Sequence, residues 1–327
     1  MEWKLERSSA SRASPSPPQP HMVRQGSQAG AMYCMNGVLL VAFVMNAIVT
    51  YTYGVHGSFG ETAASQLEAF PTLVTPAAWS FSIWAVIFVG EGAFAAVQLC
   101  TRRFNFADKE EVRTIAPWFL SVCVCQALWT VAIAQPLSAE GQSTWYVWLS
   151  LGLMFALWAS LYALMWLQAG IYSDAPRPSW SRWALFHLPF QLHAAWATAA
   201  LVVNVNVVLV ADAARAARGD LALFAAVLSL VALLVAGVNG PPFSIAPPVP
   251  PVFTAVLAWA CLGVGANLAG AGEAGAANGA SEVVRLGLSE VSFCLAAALL
   301  LRFAQTARGI YSWQAAWAAE EAEEDLV

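Results

Sequence analysis

Eight apolar segments, at approximately 32–54, 77–99, 116–135, 145–169, 184–210, 221–239, 252–269 and 283–304, limit what this chain can become. About 20 apolar residues at 1.5 Å each cross a ~30 Å hydrocarbon layer, and a helix satisfies all of its backbone polar groups within one segment. The expected fold class is therefore all-α, a polytopic transmembrane bundle whose first partner is the lipid bilayer. Composition agrees, since 59% hydrophobic and 11% charged residues lie far from the roughly one-quarter charged of soluble domains. A net charge of −5, with most Lys and Arg spread among loops, offers no nucleic-acid surface.

Linkers and charges divide the chain. Residues 1–31 are rich in Ser, Pro and Gln and read as a disordered tail, and the run Glu320 to Asp325 gives residues 305–327 the look of a solvated acidic tail. The proline-rich stretch 240–251 and the Gly/Ala-rich stretch 269–281 cannot continue a helix. We expect a five-helix core over 32–210 followed by a three-helix appendage over 211–304. Lys and Arg number four in the N-terminal tail and four in 100–115, but none in 55–76 or 136–144. The excess marks the cytoplasmic side, so both termini are expected there. The six cysteines lie in or beside apolar segments, with neither a disulfide framework nor a zinc spacing.

Polar residues at membrane depth mark the candidate site. Trp84, Glu91 and Gln98 recur every seven residues and share one helix stripe, and a carboxyl there must face protein or water rather than lipid. In the fifth segment Pro189, His193, Trp196, Ala200 and Asn204 fall on one face. Several of the 15 Trp lie near span boundaries and read as interfacial anchors. Trp84, Trp129 and Trp196 lie instead ~22, ~20 and ~18 Å from the cytoplasmic helix ends at 1.5 Å per residue. They are expected in one layer, either as core packing or as the walls of a pocket for a flat apolar ligand. The same count puts Glu91 and His193 ~12 and ~13.5 Å deep. They can pair if their helices are neighbours, or bond separately to hydroxyl or carbonyl groups.

These residues also carry a resemblance. Pro76, Trp84 and Phe88, then Gln126, Leu128, Trp129 and Thr130, then Trp196 to Ala200 with Asn204, resemble motifs of the translocator protein or tryptophan-rich sensory protein family (TspO/MBR). The resemblance covers roughly 32–210, and the three further helices resemble the family's longer variants. It implies a ligand-binding protein, often a homodimer, that holds a porphyrin or other tetrapyrrole without covalent attachment, and less directly a sterol. Carried onto this chain, the expected ligand-binding residues are Trp84, Phe88, Glu91, Gln126, Trp129, His193, Trp196, Ala200 and Asn204. Gln126 stands where the family pattern has Asn, and no Tyr follows the fifth segment.

A second function class is a transporter or channel for a small polar solute, drawn from Glu91, Gln98, Gln126, His193 and Asn204. A haem redox protein with two axial histidines is disfavoured, because His187 and His193 share a helix and the chain has only four His. No nucleophile elbow, phosphate loop or metal motif points to an enzyme. Every candidate residue lies in the first five segments, so residues 240–327 are expected to be dispensable for ligand binding.

Overall fold

A computed structural model describes residues 20–58, 62–100, 109–135, 145–172, 180–213, 219–240, 251–270 and 280–324. Among these there is no strand, and eight helices are long and apolar enough to cross a membrane. The chain forms α1 (Pro20–Val49), α2 (Ala63–Ala69), α3 (Ile83–Val97), α4 (Lys109–Ile133) and α5 (Trp145–Tyr172). It continues through α6 (Trp180–Arg182), α7 (Leu188–Ala213), α8 (Gly219–Asn239), α9 (Pro251–Gly270) and α10 (Glu282–Glu324). Helix α1 starts at Pro20, inside the stretch read as a tail, where proline is tolerated because the first N–H has no intrahelical partner. Helix α10 likewise runs through much of the acidic tail. Residues 1–19, 241–250 and 271–279 lie outside the described residues.

Local chemistry sets the helix ends. Helix α8 stops at Gly240, which adopts φ 76° and returns its N–H to Ala236 O at 2.8 Å, just before Pro241 and Pro242. Helix α7 is preceded by a wider turn over Trp183–His187 that joins it to α6 without leaving helical backbone angles. Pro189 accounts for that turn. Its missing N–H leaves the carbonyl one turn earlier unbonded, and its ring crowds that carbonyl, so the helix widens there.

One core runs through both halves of the chain. It joins Leu39 of α1, Ile87 and Phe94 of α3, Phe119 and Val122 of α4, Met154 and Leu161 of α5, and Phe190 and Trp196 of α7 to Phe253, Leu257 and Cys261 of α9. The fifth and seventh spans are the most buried, at 67% and 61%. Helix α7 therefore has protein around most of its circumference, with α3, α5, α8 and α9 all packed on it. Helix α9, in the segment expected to belong to an appendage, lies against α7, α8 and α10 and against the turn Ala78–Ser82 that leads into α3.

That last contact is specific. The N–H of Ala77 donates to Gly263 O at 2.9 Å, Asn267 Nδ2 donates to Thr75 O at 3.0 Å, and the Trp259 indole N–H donates to Ser80 O at 2.9 Å. Trp79 meets Trp259 edge to face at 4.7 Å. A Cβ on Gly263 would stand 2.8 Å from Ser80 Oγ and 3.0 Å from Pro76, so only glycine allows this approach. Non-helical backbone within a membrane needs protein partners for its polar groups, and α9 supplies them.

Candidate ligand site between α3 and α7

A close helix crossing builds the site. A Cβ on Gly90 would lie 3.1 Å from Pro189, so α3 and α7 touch at backbone distance there. Glu91 follows Gly90 directly, and His193 sits one helical turn beyond Pro189. The crossing brings the two together: His193 Nδ1 and Glu91 Oε1 are 2.6 Å apart, with both side chains fully buried. With Glu91 ionised, the Nδ1 proton donates to the carboxylate. Of the two arrangements open to these residues, the structure adopts the pair.

Aromatic rings enclose this pair. Trp84 meets His193 edge to face at 5.4 Å and Trp196 at 6.4 Å. Phe81 adds an edge-to-face contact with Trp196 at 5.5 Å, and Phe88 connects Trp84 at 6.1 Å to Phe43 at 6.0 Å. Exposure is graded across the cluster. Trp84, Phe88 and Phe81 are half-buried, whereas Glu91, His193 and Trp196 are buried. Three polar atoms at the buried end have no partner: Glu91 Oε2, His193 Nε2 and Trp196 Nε1. An unpaired buried polar atom costs roughly 1–3 kcal/mol, so three in one cluster need a reason.

The other expected site residues make their hydrogen bonds outside this cluster. Among the described residues Trp129 makes no ring contact with Trp84 or Trp196; its indole N–H donates to Asn204 Oδ1 at 3.2 Å, which also accepts from Ser150 Oγ at 2.8 Å. Asn204 is eight residues beyond Trp196, or ~12 Å along the helix axis. Gln126 takes a bond from Asn46 Nδ2 at 2.9 Å on the α1 to α4 contact. Ala200 packs against the core and accepts from Asn204 Nδ2 through its carbonyl at 2.8 Å. Gln98 carries a buried carbonyl that accepts from Asn36 Nδ2 at 2.8 Å.

Two groups escaped the sequence reading. Phe81 precedes the helix proper and had no periodicity to mark it. Thr198 receives the Trp158 indole N–H at 3.1 Å and shares a bond with the Tyr162 hydroxyl at 3.0 Å, forming a second knot on α7. The signal was the spacing of Trp158 and Tyr162, one turn apart on α5. Among the described residues no group of three His, Cys, Asp or Glu side chains could hold a bare metal ion, and five cysteines are free.

The family model for TSPO-like proteins matches residues 36–301, which spans all eight membrane helices. The chain belongs to the TSPO-like family. Comparison with curated proteins and with solved structures gave no match. The matched region extends well beyond the 32–210 core read from the motifs and includes α8, α9 and most of the membrane part of α10. As a TSPO-like protein, the chain is a multi-pass integral membrane protein of that kind.

Proposed function

We propose that this TSPO-like protein binds a flat hydrophobic ligand of the tetrapyrrole class between α3 and α7. The observation that carries the reading is the graded cluster itself. Half-buried Trp84 and Phe88 form a rim, and Glu91, His193 and Trp196 form a buried floor with three unpartnered polar atoms. Apolar walls with a few convergent polar groups are the ordinary make-up of a small-molecule site. A planar macrocycle would lay its face against such rings and offer a polar edge or centre to the floor.

Metal-free protoporphyrin titrated into the purified full-length protein should quench tryptophan fluorescence saturably. Replacing both Trp84 and Trp196 by Leu should remove most of that quenching. Quenching that never saturates, or that survives both replacements, sinks the reading. We further read both termini as cytoplasmic, from the Lys and Arg distribution over an even number of spans. A C-terminal tag labelled from outside intact cells would overturn that orientation.

A further inference from the structure

His193 is held by only one of its ring nitrogens. Nδ1 faces Glu91 Oε1 at 2.6 Å, while Nε2 is buried without a partner. A carboxylate behind Nδ1 fixes the ring orientation and raises the basicity of the other nitrogen, which is the support that metal-bound imidazoles receive. Trp196 Nε1, the nearby unpartnered nitrogen, is a donor only and cannot ligate.

The absence of further ligands narrows what the metal can be. No three His, Cys, Asp or Glu side chains converge among the described residues, so a bare ion here would find at most the His193 imidazole and the Glu91 carboxylate, too few to fill its coordination shell. A metal that binds here must arrive with its other positions already filled, inside a carrier that tolerates aromatic walls. Trp84 against His193 and Trp196 against Trp84 provide such walls. A Lewis-acidic centre that takes up the Nε2 lone pair would give this buried nitrogen the partner it lacks.

We propose that His193 Nε2 is the single axial ligand for the metal centre of a metallotetrapyrrole, with Glu91 as the positioning residue behind it. The proposal rests on the tetrapyrrole reading above and adds a preference for metal-bearing over metal-free rings. The test compares zinc protoporphyrin with metal-free protoporphyrin on the full-length protein. Zinc in this ring takes one axial ligand and reports it as a red shift of the Soret band. Wild type should show the shift and bind the zinc form at least about tenfold tighter, about 1.4 kcal/mol. In His193→Gln the ratio of the two affinities should fall to near one, whatever their absolute values, and the shift should vanish. In His193→Gly added imidazole should restore the shift. Glu91→Gln should keep the shift with a smaller ratio.

Equal wild-type affinity for the two rings overturns the proposal, and that measurement stands even if a variant fails to fold. A zinc preference that survives in His193→Gln but disappears in Glu91→Gln makes the carboxylate the ligand and also overturns it. Binding of metal-free ring without zinc preference leaves the tetrapyrrole reading intact, whereas binding of neither ring removes both.

Discussion

At the α3 to α7 crossing, Glu91, His193 and Trp196 each keep a buried polar atom without a partner. At the contact between α9 and residues 75–80, the Asn267 amide, the Trp259 indole and the Ala77 and Gly263 backbone groups all pair across the interface. Both regions use the same means, a glycine that permits close approach and aromatic rings meeting edge to face. They differ in whether hydrogen bonding is completed within the protein. Completed bonds make a structural joint, and under the function proposed above the uncompleted ones receive the ligand. The two are linked through Phe81, which follows the backbone that α9 holds and touches Trp196 on the other side.

The largest test of this contrast removes the joint altogether. Truncation after Asn239 takes away α9, with Phe253, Leu257 and Cys261 from the shared core, and should abolish a monodisperse folded species in size-exclusion chromatography. A truncated chain that remains monodisperse and binds protoporphyrin within a few-fold of wild type would return α9 to the status of an appendage. Next in size is His193→Leu. Leaving the Glu91 carboxylate without its buried partner should cost about 3–5 kcal/mol of stability, and the double change Glu91→Leu with His193→Leu should recover most of it. Unfolding in mixed micelles checks this, and equal stability of the single and double variants breaks the assignment of a coupled pair.

Gly263→Leu should cost about 1–3 kcal/mol, since even a Cβ there lies within 3.0 Å of Ser80 and Pro76. It should also weaken protoporphyrin binding through displacement of Phe81. A loss of stability with unchanged affinity would separate joint from site. The smallest effect is expected from Trp129→Phe, which loses one bond to Asn204, about 0.6 kcal/mol by the average for bonds between membrane helices. Because Trp129 lies outside the ring cluster, protoporphyrin quenching in this variant should differ from wild type only by the missing fluorophore.

Much of this was legible along the chain. The number and length of the spans follow from apolar runs matched to the bilayer, and the common level of Glu91 and His193 follows from a fixed rise per residue. Pro76, Trp84 and Phe88 with Trp196 to Ala200 pointed to the family that the matched region supports. Counting along an axis gives the height of a residue but not its direction around the helix or the identity of the helix it faces. Trp129 therefore has a predicted depth near Trp196 and yet turns to Asn204. Helix α9 was equally hidden, because in lipid a lipid-facing span and a protein-facing span are both apolar throughout, so hydropathy cannot separate them. Hydrophobic length, a local property, was determined by the sequence itself. Which faces meet was decided by small residues at the crossings, Gly90 against Pro189 and Gly263 against Ser80, whose effect exists only once two distant segments are packed together.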